Sequence, residues 1–134
     1  MKDELLLEMA EQARSLAYCP YSDMAVGAAL LTGSGTVYLG ANIENASFTP
    51  TVCAERTAVF RALLDGEREF AKIAISGGKA GEHVHASFPP CGVCRQVLAE
   101  FCSPELEVFL AGDEPQKYTL GELLPASFSK KNME

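Results

Sequence analysis

Residues 50–64 read PTVCAERTAVFRALL. Its apolar spacing predicts a helix over Thr51–Leu64, with Pro50 suited to the first turn and Gly66 ending the helix. Cys53 and Glu55 then lie in the first turns. The predicted helix therefore opens with a thiol beside a carboxylate.

A second stretch repeats this arrangement further along the chain. Residues 90–94 read PCGVC, and the residues that follow carry apolar side chains at helical spacing. A helix is predicted over Cys91–Phe101, and Pro90 fits its N-terminus because proline is tolerated where a backbone N–H has no helical partner. Two cysteine-containing motifs therefore open two helices.

Hydrophobic periodicity and turn residues place the remaining elements. They are a helix over Asp3–Ala17, a hairpin of strands over Ala25–Leu31 and Thr36–Ala41, a buried strand over Phe70–Ser76 followed by a Gly-rich loop over Gly77–Gly81, a strand over Leu106–Ala111, and a short helix that starts with a capping box at Thr119 and stops at Pro125. This order predicts an α/β fold, in which helices cover both faces of a mixed sheet, over a single domain of residues 1–134.

Composition narrows the classes of function. The net charge of −7 lacks the basic footprint of a nucleic-acid-binding protein, so a small-molecule partner is favoured over a nucleic acid. The longest apolar runs, such as Val26–Leu31, are far shorter than the ~20 residues that cross a bilayer, so no membrane association is expected. The N-terminus has no signal-peptide pattern, and a cytoplasmic location is the resulting expectation.

The five cysteines form an odd set in a chain without an export signal, which argues against a disulfide framework. Metal binding or reduced thiols are the better interpretations. A catalytic zinc site uses three protein ligands and leaves the fourth position to water. Cys91 and Cys94 alone leave zinc binding, redox chemistry and chance open.

The triplet Cys53-Ala54-Glu55 favours zinc binding over the other interpretations of the cysteine pair. A Cys-x-Glu or His-x-Glu triplet followed by Pro-Cys-x-x-Cys is the pattern by which zinc deaminases are generally described. Here both parts of the pattern open predicted helices, whose N-termini stabilise thiolates. The pattern thus predicts a zinc site formed by Cys53, Cys91 and Cys94.

The sequence resembles the cytidine deaminase family, in its small homotetrameric form with three cysteine ligands, and the resemblance runs nearly end to end. It rests on six ordered motifs, Pro20-Tyr21-Ser22, Val26-Gly27-Ala28-Ala29, Asn42-Ile43-Glu44-Asn45, Cys53-Ala54-Glu55-Arg56-Thr57, Pro90-Cys91-Gly92-Val93-Cys94-Arg95-Gln96 and Glu122-Leu123-Leu124-Pro125.

The resemblance implies a three-layer α-β-α fold, a Zn²⁺ cofactor and a homotetramer. It also implies that cytidine and 2′-deoxycytidine are deaminated to the uridine counterparts in pyrimidine salvage. Zinc-activated water would attack C4, while Glu55 takes its proton and passes it to N3 and then to the leaving ammonia. The alternative for Glu55 is a carboxylate favoured only by the helix dipole.

The same resemblance implies the substrate contacts. Asn42 and Glu44 would bind the ribose hydroxyls, Ala54 would contact the substrate, and Phe128 would reach a neighbouring subunit's site and pack on the base. The alternatives are that Asn42 is a turn residue, that Glu44 is merely solvated, and that Phe128 covers the core of its own domain.

Arg56 follows the first motif directly. Three thiolates on Zn²⁺ leave one excess negative charge, and the Arg56 guanidinium is expected to compensate it by donating to the cysteine sulfurs. The alternative is a surface ion pair.

Two positions depart from the family pattern. Met24-Ala25 stands where the family has Phe and a small residue or proline, so an aromatic wall beside the base is missing. Pro89 replaces a small polar residue, although its carbonyl can still accept a hydrogen bond. Met24 keeps open a rival substrate, another nucleoside-like compound such as a cytosine-containing antibiotic.

A structural zinc module is the non-enzymatic rival, but closed structural sites use four ligands and do not require Glu55. His83 and His85 are not assigned as metal ligands, because they precede the Cys pair in a Gly-rich region and Cys53 already supplies the third ligand. Cys19 and Cys102 are interpreted as core or surface thiols.

Overall fold

The computed structural model describes residues 1–134. No helix combines the length and apolar character that a membrane span needs. The elements in chain order are α1 (Asp3–Ala13), a 3-10 turn (Arg14–Leu16), β1 (Met24–Thr32), β2 (Val37–Ala41), α2 (Ala54–Leu64), β3 (Phe70–Lys79), α3 (Gly92–Phe101), β4 (Glu107–Leu110), β5 (Gln116–Thr119), α4 (Leu120–Leu123) and a second 3-10 turn (Lys130–Met133).

The five strands form one mixed sheet in the order β2-β1-β3-β4-β5. β1 pairs antiparallel with both β2 and β3, and β4 pairs antiparallel with β5. β3 and β4 are parallel, because the chain between them crosses through α3.

Side chains alternate across the sheet and supply two cores. On one face, Ala28 and Leu30 of β1 belong to a cluster with α2 and α3, while Ala29 and Leu31 pack with α1 on the other face. Ile73 and Ala74 of β3 divide between the two clusters in the same way. The α/β fold with a mixed sheet and helices on both faces is confirmed.

Two close approaches position the helices. A Cβ on Gly27 would lie 2.0 Å from the carbonyl oxygen of Ala10, so only glycine lets α1 lie directly on β1. A Cβ on Gly40 would lie 2.3 Å from the carbonyl oxygen of Ala54, at the start of α2. The Thr57 hydroxyl fixes this contact, since it accepts from the Ala41 N–H at 3.0 Å and lies 2.9 Å from the Ala41 carbonyl. The N-terminus of α2 is thereby attached to the end of β2.

The structure corrects several predicted boundaries. α2 begins at Ala54 rather than Thr51, because Val52 pairs with Ile43 in a β-bridge. Pro50 therefore lies outside the helix. α1 ends at Ala13, followed by the 3-10 turn.

The predicted Gly-rich loop after Ser76 is wrong at its start, because β3 continues to Lys79. Gly77 suits this strand because the Phe88 ring covers it: a Cβ there would lie 2.5 Å from the ring. β5 and the last 3-10 turn were not predicted. The capping box at Thr119 is confirmed.

Candidate active site

Three sulfurs meet where α2 and α3 begin. Cys53 is the N-cap of α2, Cys91 is the N-cap of α3, and Cys94 lies in the first turn of α3. The Sγ atoms of Cys53 and Cys91 are 3.9 Å apart, and all three sulfurs lie within 4.8 Å of one another. Sulfurs bound tetrahedrally at ~2.3 Å from one zinc ion would be about 3.8 Å apart. The donor set therefore fits one such ion.

The surroundings of the sulfurs favour a thiolate at Cys53, whereas the hydrogen bond to Cys53 and desolvation raise the pKa of the Cys94 thiol. The Cys94 N–H donates to Cys91 Sγ at 3.4 Å, and Arg56 Nη2 donates to Cys53 Sγ at 3.4 Å. The hydrogen bond with the Cys94 thiol, helped by Arg56 and opposed by desolvation, lowers the pKa of Cys53 to about 5. The two helix N-termini add partial positive charge. Negative charge on the sulfurs is thus compensated by groups of this chain.

Glu55 is buried beside this cluster. It is only 3% exposed, and its burial raises its pKa to about 7. A carboxylate whose two protonation states are close in energy near neutral pH can both accept and return a proton. Glu55 is thus suited to general acid-base chemistry next to the sulfurs.

A cavity of about 410 Å³ opens onto these groups, a size typical of small-ligand sites. Residues from β1, the segment after β2, the start of α2 and the segment before α3 line it. They are Ser22, Met24, Val26, Asn42, Glu44, Thr51, Cys53, Ala54, Glu55, Phe88, Pro89 and Cys91. A cavity that reaches two of the three cysteines leaves room for water or substrate there, unlike the closed sites of structural zinc modules.

Asn42 and Glu44 both line this cavity, on the same side of the segment that follows β2. Asn42 is tied to β1, because its Oδ1 accepts from the Val26 N–H at 2.9 Å and its Nδ2 donates to the Met24 carbonyl at 2.8 Å. One amide hydrogen and one lone pair of Asn42 stay available for a ligand. Asn42 is therefore held rigidly in the cavity wall.

Glu44 is held by the turn before β1. Its Oε1 accepts from the N–H groups of Tyr21 and Ser22 at 3.0 and 3.1 Å, and its Oε2 accepts from the Ser22 hydroxyl. That hydroxyl, more than the backbone donors and against desolvation, lowers the pKa of Glu44. The carboxylate therefore faces the cavity in its ionised form.

Comparisons with known proteins agree with this geometry. Residues 1–110 match the model of the cytidine and deoxycytidylate deaminase zinc-binding region. The chain belongs to this deaminase family. Because that family model describes a zinc-binding region and the three sulfurs converge here, this deaminase has a metal site.

Relatives named cytidine deaminase match this deaminase over almost its whole length. The protein of Sporosarcina psychrophila is 44% identical, covering 99% of this chain and 96% of its own. That of Halalkalibacterium halodurans is 45% identical, covering 99% and 98%. The crystal structure of cytidine deaminase from Burkholderia pseudomallei is 46% identical with a TM-score of 0.88, covering 96% of this chain and all of that one. The expected family resemblance and three-layer fold are thus confirmed.

Phe128 lies apart from the site of its own chain. Its side chain is not among the groups that line the cavity; the residue is 59% exposed, and its carbonyl accepts from Gln96 Nε2 at 2.9 Å. Within one chain of this deaminase, the structure brings the other predicted site residues together but leaves Phe128 away from them.

Several lining or positioning residues were missed in the sequence, among them Phe88, Ser22 and Arg95. Phe88 lines the cavity together with Met24, and Ser22 orients Glu44. Arg95 fixes the segment before α3, because its Nε donates to the Pro90 carbonyl at 2.9 Å and its Nη1 donates to the Leu123 carbonyl at 2.7 Å. Ser22 and Arg95 stand inside the family motifs, which is the signal that pointed to them, whereas Phe88 carries none.

Proposed function

We propose that this chain is a zinc-dependent hydrolase that converts cytidine and 2′-deoxycytidine, with water, to uridine or 2′-deoxyuridine and ammonia. Cys53, Cys91 and Cys94 hold the zinc. The observation that carries the proposal is the buried carboxylate of Glu55 beside three converging sulfurs at the wall of one cavity. Membership of the deaminase family supports the same reaction.

Each step of the reaction can be assigned to a residue of this chain. When bound, zinc supplies the Lewis acidity that makes water nucleophilic near neutral pH. Glu55 accepts a proton from the water that attacks C4 and delivers it to N3; it then takes the proton of the new C4 hydroxyl and passes it to the departing amino group. A C4–O bond forms, the C4–N bond breaks, and ammonia leaves. The burial of Glu55 keeps bulk water away from these transfers.

The cavity wall orients the nucleoside. Glu44, ionised and fixed by Ser22, accepts from ribose hydroxyls, and Asn42 uses its free amide hydrogen in the same region. Ala54, at the start of α2, contacts the base. The Pro89 carbonyl accepts from the amino group that leaves.

Assembly and pathway are the finer parts of the proposal. We propose a homotetramer that works in pyrimidine salvage, with Phe128 packing on the base in a neighbouring subunit's cavity. The exposure of Phe128 and its distance from its own cavity support this arrangement. Sedimentation at several protein concentrations is expected to give a tetramer, and a monomer would contradict it.

A second substrate class is favoured by one observation. Met24 lines the cavity, and a flexible thioether defines the shape of the base pocket less strictly than an aromatic ring does. Another cytosine-containing nucleoside, such as an antibiotic, would undergo the same chemistry.

The direct test is turnover by the zinc-loaded protein. Loss of the near-ultraviolet absorbance of cytidine, with release of one ammonia per nucleoside, is the expected result. A panel of cytidine, 2′-deoxycytidine, free cytosine and cytosine-containing antibiotics separates the two substrate classes. No turnover of any compound in the panel would contradict the proposed activity.

A further inference from the structure

Two histidines outside the cysteine site share one side of the segment after β3. Val84, between them, is buried at 4% exposure, and its Cγ2 packs towards Gly78. His83 and His85 both project to solvent, with side chains 70% and 71% exposed and ring centroids 4.7 Å apart. Val84 therefore serves as the apolar anchor that places both imidazoles on the same surface.

A carboxylate from a distant part of the sequence completes the group. Asp113, which follows β4, places its Oδ2 3.0 Å from His85 Nδ1 and its Oδ1 3.6 Å from His83 Nε2. The Asp113 N–H donates to the His85 carbonyl at 2.8 Å, so the two segments are joined through their backbones. A Cβ on Gly112 would lie 3.0 Å from the same carbonyl, so glycine permits this close approach.

The segment that carries the histidines is also fixed from the inside. Arg14, only 7% exposed, donates through Nη2 to the Lys79 carbonyl at 2.9 Å and through Nη1 to the Glu82 carbonyl at 2.8 Å. Together with the Asp113–His85 bond, this places an anchor on each side of His83 and His85. The three side chains are therefore presented by a backbone that is already held in position.

The donor atoms have the spacing of a metal site. Ligand atoms bound tetrahedrally at ~2.0–2.1 Å from one ion lie about 3.3 Å apart. The single oxygen Asp113 Oδ1 lies 3.3 Å from His85 Nδ1 and 3.6 Å from His83 Nε2, which is close to that value. All three donors fall within 4.8 Å of one another. Imidazole nitrogens select zinc, nickel, copper or iron over magnesium and calcium.

We propose that His83, His85 and Asp113 form a second metal site, separate from the three cysteines, that takes a divalent transition ion of the zinc class. Water completes its coordination, because all three side chains are exposed. This revises the interpretation of the histidines from the sequence, in which Asp113 had no visible connection with them. The site does not depend on the proposed function.

The ion would brace one wall of the substrate cavity. Residues 86–90 connect His85 to Cys91, and Phe88 and Pro89 among them line the cavity. An ion that joins His85 to Asp113 fixes the start of this segment to the end of β4.

The chain contains only two histidines, which makes the test direct. Zinc is added to the metal-free, ¹⁵N-labelled protein while the imidazole nitrogens are followed by NMR and the stoichiometry by calorimetry. The first equivalent is expected to enter the cysteine site and leave both rings unchanged. The second is expected to shift Nε2 of His83 and Nδ1 of His85, whereas calcium shifts neither.

The variants are the double substitution His83→Ala with Asp113→Asn and, as a matched control, Glu82→Gln, which removes a neighbouring exposed carboxylate. The double variant is expected to bind one zinc and the control two. Absence of a second equivalent, or a second equivalent that the double variant retains, would overturn the proposal. If the histidine rings respond to the first equivalent and the cysteines bind none, the second site stands and the cysteine site fails.

Discussion

Glu55 is buried in the fold and is also the residue proposed to transfer protons. A carboxylate that is almost fully buried, with its pKa raised by desolvation, is costly for the fold unless the site uses it. Glu55→Gln keeps the shape of the side chain and removes its capacity to carry a proton. We expect turnover to fall by at least roughly 10²–10⁴-fold, with zinc still bound at one equivalent in the cysteine site.

The measurement is cytidine turnover alongside metal content by mass spectrometry. Glu100→Gln is the matched control, since Glu100 is an exposed carboxylate on α3 away from the cavity, and its activity should stay at the level of the unaltered protein. Undiminished turnover in Glu55→Gln would exclude the acid-base role.

Arg56 places a positive charge next to the cysteine cluster. Its Nη2 donates to Cys53 Sγ, while its Nε is buried without a hydrogen-bond partner. Because three thiolates outweigh the charge of a zinc ion, Arg56→Ala removes the nearest compensating cation. Loss of such an outer partner typically lowers metal affinity or activity by about 10–100-fold.

Competition with a chromophoric chelator measures this change in affinity. Arg56→Lys keeps the charge and loses the planar guanidinium, so it should recover part of the affinity. An Arg56→Ala variant that binds zinc as tightly as the unaltered chain would leave Arg56 with a purely structural role.

The sequence pointed to the chemistry of single residues but not to all of their contacts. The cysteines and Glu55 were predictable because a short motif carries both the donor types and their helix N-terminal position. Phe88 was not, since its place in the cavity depends on the space above Gly77, which belongs to another element. Asp113 was missed for the same reason, because His85 and His83 lie 28 and 30 positions away from it in the chain.

Among the elements, α2 depends most on close packing. Gly40 lies against its first turn, and a Cβ there would meet backbone rather than a movable side chain. Gly40→Ala should push α2 from β2 and destabilise the fold by roughly 1–3 kcal/mol, the usual cost of overpacking. Cys53 would move with the helix, so zinc affinity should fall too.

Urea unfolding of the metal-free protein tests the first part of this expectation. Gly92→Ala is the matched control: Gly92 begins α3, and nothing lies within 4 Å of an added Cβ. Its stability should be unchanged or higher by up to about 1 kcal/mol, because alanine favours helices. Equal stability of the two variants would show that α2 can move without cost.

Elements with strong hydrophobic periodicity were predicted, and weakly patterned ones were not. β1 and β3 carry apolar side chains to both cores, and α3 has an apolar face. β5 reads Gln116-Lys117-Tyr118-Thr119, which has little apolar content because the strand lies at the sheet edge. Gly77 and Gly78 at the end of β3 were predicted to lie in a loop. The Phe88 ring that packs against Gly77 comes from a later segment, so the glycine pattern alone did not indicate a strand.

For the whole molecule, the metal proposed at the three cysteines would cross-link two distant parts of the sequence. Cys53 and Cys91 are 38 positions apart, so one ion closes a long loop that is open in the unfolded chain. Ligand that binds only the folded state stabilises it by about 2.7 kcal/mol at a free concentration of 100 Kd. Removing zinc with a chelator should therefore lower Tm, measured calorimetrically.

The Cys53→Ala variant provides the control for this cross-link. Its Tm should respond much less to zinc and chelator, because two sulfurs hold the ion weakly and Cys53 no longer ties α2 to α3. A zinc-dependent rise in Tm as large as that of the unaltered chain would mean that the stabilising ion binds elsewhere.

The polar residues of the edge strand β5 affect how copies of this chain can associate. Lys117 Nζ forms a salt bridge with Glu107 Oε1 at 3.0 Å and lies 5.5 Å from the centre of the Phe109 ring. A charged side chain therefore lies over the apolar ring at this edge of the sheet. Charged residues on short outer strands discourage the uncontrolled strand addition that leads to fibrils. Addition of a strand from a second copy is thereby disfavoured at the β5 border of the sheet.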